Sequence, residues 1–206
     1  MDKISATIVT LNEERNIERC LKSIQWADEI VVVDSGSTDR TLAICGEYGC
    51  RIIETEWLGY ARTKQLAVDA AANDWIFSID ADEAATPQLA ARVMDVVKNP
   101  GRVKGFRINR QSFYLGKKIR HSGWRRDYPL RLFHRNFGRF NLKPVHEGVE
   151  VNGEVGQLQQ VLYHYTFPTL ATHVRKIELY SELGAAEKKE TGEACSPVRP
   201  ISRNIN

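Results

Sequence analysis

The sequence of 206 residues has no apolar run near the roughly 18 residues that a membrane-crossing helix needs. Met1-Asp2-Lys3-Ile4 shows no basic stretch followed by an apolar one. Neither a spanning helix nor a cleaved secretory signal is therefore expected. The four cysteines, Cys20, Cys45, Cys50 and Cys195, form no C-x-x-C pair, and the first two fall on apolar positions of expected helices, as small buried hydrophobes do. A reducing cytoplasm is the expected setting. No G-x-G-x-x-G and no Walker A sequence occurs, so dinucleotide-binding and P-loop readings lose their usual support. Acid is nearly missing from one stretch: between Gly101 and Lys143 stand thirteen basic residues and the single acid Asp127, a net +12 that leaves −9 for the remainder. A positive segment this dense implies an anionic partner, whether a phosphorylated acceptor, an acidic membrane surface or nucleic acid.

What is present in the first hundred residues is a regular alternation of strand and helix patterns. Ile4 to Thr10 reads as a strand. A helix follows from about Glu13, with Asn12 as its cap and an apolar stripe at Ile17, Cys20, Leu21 and Ile24. Strands are expected at Glu29 to Val33, Arg51 to Glu54 and Trp75 to Ile79. The intervening helices are Asp39 to Tyr48, ended by Gly49 as a left-handed cap, and Tyr60 to Ala72. A further helix runs from Pro87 to Lys98. The alternation argues for an α/β fold, a mostly parallel sheet covered on both faces. In such sheets ligands bind beyond the carboxyl ends of the strands. Three polar clusters fall there: Thr10-Leu11-Asn12-Glu13, Asp34-Ser35-Gly36-Ser37-Thr38-Asp39 and Asp80-Ala81-Asp82. Asp34 is suited to accept from a base N–H, while Ser35 and Gly36 let the backbone approach closely.

Asp80 and Asp82 carry the most information. They stand where the apolar run Trp75-Ile76-Phe77-Ser78-Ile79 ends, and in extended chain alternate residues face one side, so the two carboxylates converge. Like charges that close need a positive partner. Mg2+ or Mn2+ carrying a diphosphate suits hard oxygen ligands of this kind. The bland alternative is that Asp82 and Glu83 only open a loop before the helix at Pro87.

Ile8-Val9-Thr10-Leu11-Asn12-Glu13-Glu14, Ile30-Val31-Val32-Val33-Asp34-Ser35-Gly36-Ser37-Thr38-Asp39 and Ser78-Ile79-Asp80-Ala81-Asp82-Glu83 together resemble the landmarks of the family-two inverting glycosyltransferases of GT-A fold. His121-Ser122-Gly123-Trp124, Leu130-Arg131-Leu132-Phe133-His134-Arg135 and Val145-His146-Glu147 are similar to the branch that includes bacterial lipopolysaccharide-core glucosyltransferases. The resemblance covers about residues 3–185. It implies that Thr10, Asn12, Glu13 and Ser35 line the nucleotide pocket and that Asp34 meets the uracil edge. Asp82 would hold the metal, with Asp80 near the ribose or the metal shell. Lys64 matches a basic position of the branch that touches phosphate, although Gln65 stands where relatives usually have Asn. The implied partners are a UDP-sugar donor and an anionic glycolipid acceptor such as the lipopolysaccharide inner core, with room for peripheral contact at the cytoplasmic face of an inner membrane.

An inverting transfer needs one base, and acids are scarce before residue 147 in the second half. Glu147 is the first candidate, with His146 beside it to orient it or the acceptor, and Asp127 is the second. The alternation Val145, Glu147, Val149, Val151 places Glu147 on a hairpin strand among valines, partly desolvated. His121, His134, His164 and His173 lack metal-ligand spacing and read as structural or acceptor-contacting. The expected organisation is a nucleotide-sugar half over residues 1–100, a basic acceptor-side β region over 101–168, an amphipathic helix over 169–190 and a mobile tail over 191–206. The helix is open to three readings: lying on a membrane, pairing with a second subunit, or closing the fold. Two other functions compete. A nucleotidyltransferase would carry a glycine-rich basic loop after the first strand, where Leu11-Asn12-Glu13-Glu14 is acidic. A non-catalytic nucleic-acid-binding module finds no recognised motif, so no nucleic-acid partner is expected.

Overall fold

A computed structural model describes residues 2–121, 127–141 and 147–167, and beyond these residues 169–171, 173, 174, 177, 178, 181 and 185. The first half alternates as its periodicity predicts: β1 (Ile4–Thr10), α1 (Ile17–Ser23), β2 (Glu29–Asp34), α2 (Thr41–Glu47), β3 (Arg51–Glu54), α3 (Tyr60–Ala70) and β4 (Trp75–Ser78). A short strand β5 (Glu83–Ala85) precedes α4 (Pro87–Lys98). Between Val103 and Thr166 the elements among the described residues are strands: β6 (Val103–Tyr114), β7 (Lys117–Lys118), β8 (Leu130–His134), β9 (Gly138–Phe140), β10 (Val149–Val151) and β11 (Glu154–Thr166). The described residues between Leu170 and Ala185 are helical.

One sheet runs in the order β3-β2-β1-β4-β8-β6-β11-β5, with β7 paired to β6, and β9 and β10 form a separate antiparallel pair. β3, β2, β1 and β4 are parallel. β8 is antiparallel to β4 and to β6, and β11 is parallel to β6. Six strands therefore point one way. β5 follows β4 directly in the chain yet pairs with β11, so the sheet curls and residues 79–82 bridge its two sides.

Strand alternation divides the apolar side chains between two faces. Ile30, Val32, Trp75 and Phe77 pack with Ile17 and Leu21 of α1, Cys45 of α2, and Leu89 and Val93 of α4. Val31 and Ile76, one residue out of phase, pack instead with Val68 from α3 and with Phe133 and Phe140. Each such fully buried side chain contributes about 1.5–3 kcal/mol relative to exposure. The sheet is thus covered on both faces, as the strand–helix alternation implies.

Punctuation follows local chemistry. Pro87 opens α4, and the Thr86 side chain accepts from Leu89 N at 3.2 Å, satisfying one of the helix's open donors. Gly49, at φ +69°, follows the C-cap of α2, the left-handed position glycine takes without strain. The first helix corrects its expectation. It begins at Ile17 rather than Glu13, and Asn12, at φ +55°, caps nothing there. Its side-chain oxygen instead accepts from Thr38 N at 2.8 Å, and its own N–H donates to Ser37 Oγ at 2.8 Å, so Asn12 ties the loop after β1 to the loop after β2.

Candidate active site

The loop after β2 is organised around one carboxylate. Asp34 is fully buried; its Oδ1 accepts from Gly36 N (2.9 Å) and Ser37 N (2.7 Å), and its Oδ2 accepts from Thr10 Oγ1 (2.8 Å) and Ser37 Oγ (2.5 Å). A carboxylate offers about four acceptor sites, so the protein itself fills them. Gly36 sits at φ +95° in this turn, open only to glycine without strain. Beside it, Ser35 Oγ is a buried hydroxyl without a partner among the described residues, and it marks a place for a ligand atom. Glu13 N donates to Thr41 Oγ1 at 2.8 Å, which joins the third element of this rim to the start of α2. Thr10, Asn12, Glu13, Asp34 and Ser35, dispersed over 26 positions, thus meet at the ends of β1 and β2.

The paired aspartates lie where the chain crosses from β4 to β5, and every strand crossed sends up a basic or imidazole side chain. β8 supplies Arg131, whose guanidinium bonds Asp80 and, at 2.7 Å, Glu83. β6 supplies Arg110, which meets Glu83 at 3.1 Å and forks onto Asp127 at 2.7 and 2.5 Å. From α3, Lys64 joins Asp80 and Glu147, each at 2.9 Å. The outcome is an unbroken series of alternating charge: Glu147, Lys64, Asp80, Arg131, Glu83, Arg110, Asp127. Glu83, Arg131 and Lys64 are buried, at 0%, 5% and 8% exposed, while the Asp80 and Arg110 side chains stay partly open to solvent.

Burial on its own would raise the pKa of Asp80, but Arg131 and then Lys64 hold it well below the ordinary carboxylate range. Burial likewise opposes the charge on Arg131, Arg110 and Lys64, and the surrounding carboxylates, Asp80 or Glu83 foremost, raise all three instead. The sequence signalled Lys64 and the aspartates. Glu83 and Arg131 stand within the motifs that carry the resemblance, but nothing in the sequence shows that they or Arg110 pair, because only the curled sheet sets β6 and β8 beneath residues 80–83.

The two candidate bases sit at opposite ends of this series. Glu147 precedes β10 rather than lying on a hairpin strand: the strand pairing with β9 begins only at Val149, so the valine alternation does not extend to it. Its Oε1 is held by Lys64, and no bond among the described residues engages Oε2. Asp127 is held more tightly, by two Arg110 nitrogens and by the bond from Arg110 N to its carbonyl at 2.8 Å. His146 lies outside the described residues. Gln65, unusual at its position, accepts from Phe140 N at 2.9 Å and so ties α3 to β9 near Glu147.

Asp82 has a different neighbour. His164 lies on β11 opposite Glu83, and its Nε2 comes within 3.4 Å of Asp82 Oδ2. On the other side of the ring, Nδ1 shares a hydrogen bond with Ser112 Oγ at 3.2 Å, which fixes the ring's orientation. Among the described residues no group of three His, Cys, Asp or Glu side chains is arranged to hold a metal. Asp82 and His164 nevertheless form an oxygen–nitrogen pair, both mostly buried. Such a pair fits a divalent cation that draws its remaining ligands from a diphosphate and water.

A curled, mostly parallel sheet with polar loops at its carboxyl ends, and an aspartate pair at the tip of a central strand, defines the GT-A fold of nucleotide-sugar transferases. Residues 5–165 match Glycosyl transferase family 2, and the chain belongs to that family. It is 34% identical to the lipopolysaccharide core biosynthesis glycosyltransferase LpsC of Rhizobium meliloti, over 92% of this chain and 73% of that protein. An uncharacterized glycosyltransferase of Rickettsia felis is 31% identical, over 100% of this chain and 77% of that one. Among solved structures, S. aureus TarS 1-349 in complex with UDP-GlcNAc is similar in fold, with a TM-score of 0.57 and 16% identity over 80% of this chain. The same protein with UDP gives a TM-score of 0.58 and 17% identity over 94% of this chain. The chain thus spans about three quarters of its curated relatives and 58% of the first TarS structure. No helix among the described residues is long and apolar enough to cross a membrane.

Proposed function

We propose that the chain is an inverting, metal-assisted hexosyltransferase that moves a sugar, glucose from UDP-glucose being the best match, onto an anionic glycolipid such as the lipopolysaccharide inner core. The observation that carries this reading is the charge series itself, which joins a base candidate, Glu147, to the donor-side Asp80 through one buried lysine. LpsC, the relative in lipopolysaccharide core biosynthesis, supports the choice of acceptor.

Asp34, Thr10, Asn12, Glu13 and Ser35 form the nucleotide rim. Asp34 Oδ2 meets a uracil N–H once the whole Ser37 side chain swings off it, since Ser37 Oγ donates to that oxygen at 2.5 Å, and Ser35 Oγ gains the partner it lacks among the described residues. Asp82 and His164 would hold Mg2+ or Mn2+, which supplies charge neutralisation for the departing diphosphate. Asp80 is not available as a bare anion. Fixed by Lys64 and Arg131, it is a neutralised hydrogen-bond acceptor facing the ribose. Lys64 lies within reach of both the diphosphate side and Glu147 and holds the base in place. Glu147 Oε2 takes the proton from the acceptor hydroxyl as that oxygen attacks the anomeric carbon on the face opposite the leaving group, in one displacement without a covalent enzyme intermediate. We read residues 1–100 as the donor half and 101–168 as the acceptor half, with His164 of the second reaching the donor half's Asp82.

Calorimetric titration with UDP and Mn2+ tests the donor side. Binding is expected only with the metal present and is expected to fall at least about a hundredfold in Asp82→Ala and in His164→Ala alike, because each removes a proposed ligand and even a supporting residue outside the ligands typically costs about 10–100-fold. Unchanged metal-dependent binding in Asp82→Ala would overturn the assignment. Release of UDP rather than pyrophosphate separates this chemistry from a nucleotidyltransferase.

A further inference from the structure

β6 is parallel to β4, because β8 is antiparallel to both, and its carboxyl end therefore lies at the same end of the sheet as Asp80 and Asp82. It does not stop there. β6 continues past Arg110 to Tyr114, turns through Leu115-Gly116 and returns as β7. At about 3.3 Å per residue the turn stands roughly 15 Å beyond Arg110. Both turn residues have positive φ, +49° and +75°, the two-residue turn that favours Asn-Gly. A leucine in that first position is strained, and Leu115 packs little in return, being 45% exposed. Strain kept at an exposed apolar tip points to use. Lys117, Lys118 and Arg120 flank it, all exposed, and no acid occurs between Gln111 and His121.

The helix after β11 presents a second apolar feature beside the first. Leu170, Val174 and Ile177 are 62%, 47% and 53% exposed. At about 100° per residue they fall within a stripe roughly 60° wide. His173, about 60° round from Leu170, shares a hydrogen bond with Tyr114 Oη at 2.9 Å and stacks on Phe167 with ring centroids 4.3 Å apart. Leu115 N donates to Phe167 O at 3.2 Å. The stripe therefore adjoins the strained turn rather than facing away from it.

We propose that the β6–β7 tip and this helix stripe form one docking surface for a bilayer bearing anionic headgroups. Apolar side chains ringed by cations match the boundary between acyl chains and acidic headgroups. A second copy of this chain fits poorly, because a symmetric contact would set the same lysines against each other. The surface deepens the proposed function by setting where a lipid-borne acceptor meets the crevice, because the register of β5, β11 and β6 puts Glu83 level with Ser112 and the turn therefore only about 10 Å further along the strand. Docking itself needs none of the transferase chemistry.

The test is co-sedimentation of the full chain with vesicles of phosphatidylcholine alone or mixed with phosphatidylglycerol, with UDP–Mn2+ binding measured on the same samples. Binding is expected to the mixed vesicles only, weakening with salt and falling at least tenfold in Lys117→Gln/Lys118→Gln and in Ile177→Ser. Leu115→Asn suits the turn better, so it is expected to keep or raise Tm while losing vesicle binding by a similar factor. Equal binding to neutral vesicles, undiminished binding in these variants, or a dimer abolished by Leu115→Asn with no vesicle binding would overturn the surface. Loss of UDP binding with vesicle binding intact would instead strike the donor site alone.

Discussion

The basic residues of the second half form two populations with opposite situations. Arg110 and Arg131, in the middle of β6 and β8, turn into the curl of the sheet and meet carboxylates that come from the segment between β4 and β5. Lys117, Lys118 and Arg120 lie only a few residues further along the same sheet region, yet they are exposed beyond its end. Arg135 also turns back onto the protein, but onto the carbonyls of Ala71 and Asp69, so it neutralises no acid. Part of the segment's +12 is therefore internal neutralisation of the acidic first half, and only the remainder is a field that a partner feels. Charge counted along a chain becomes a statement about partners only after the fold has paired some of it away.

The largest effect that would break this contrast is on stability. Arg131→Met removes the cation bonded to both Asp80 and Glu83 and leaves the buried Glu83 and the partly exposed Asp80 each short of a partner. Breaking a buried ion pair from one side typically costs about 3–5 kcal/mol. Urea unfolding should therefore show a large drop in midpoint with little change in slope. Lys117→Met, with nothing buried to abandon, should stay within about 0.5 kcal/mol of the parent. Comparable losses in the two variants would erase the distinction between inward and outward charge.

Next comes the choice between the two ends of the charge series. Glu147 has an oxygen without a bond among the described residues, whereas Asp127 is forked onto Arg110 and anchored through its backbone. Glu147→Gln is expected to lower kcat by about 10²–10⁴, the range for a lost general base, with UDP binding retained. Asp127→Asn should act mainly through stability and leave kcat within about tenfold, less than the loss of a base. The reverse pattern in single-turnover measurements would move the base to Asp127.

Local signals carried the first half of the fold. Strand and helix periods placed β1 to β4 and α1 to α4, and polar residues at strand ends marked the crevice. Asn12 was misread as a helix cap because its partners, Ser37 and Thr38, belong to the next loop. Glu147 was placed on a strand because its valine neighbours alternate, although pairing starts two residues later. Glu83 and Arg131 stand in the motifs and His164 reads as structural or acceptor-contacting, but no local signal pairs them, or Arg110, with the groups they meet. Their roles depend on β5 leaving β4 to pair with β11, a contact 79 residues apart in register, which no window of sequence encodes. The same long-range curl separates the two populations of basic residues.

The smallest expected effect concerns pH, and its sign follows from the direction of two shifts. Asp80 lies well below its ordinary value of 3.8, so the stability gained from Arg131 and Lys64 is complete above that value and is lost as the pH falls through the depressed one. Lys64 is raised above its ordinary 10.5, so its contribution is complete below that value and fades only as the pH climbs through the raised one. Between these limits the contributions of Asp80 and Lys64 are constant, and the exposed lysines add little at any pH because water and salt screen them. Asp80→Asn should therefore lower the plateau of a stability–pH curve and flatten its acid limb, while Lys117→Gln/Lys118→Gln leaves the shape alone. An acid limb unchanged in Asp80→Asn would mean that another carboxylate carries the acid sensitivity and that the inward population is not held together through Asp80.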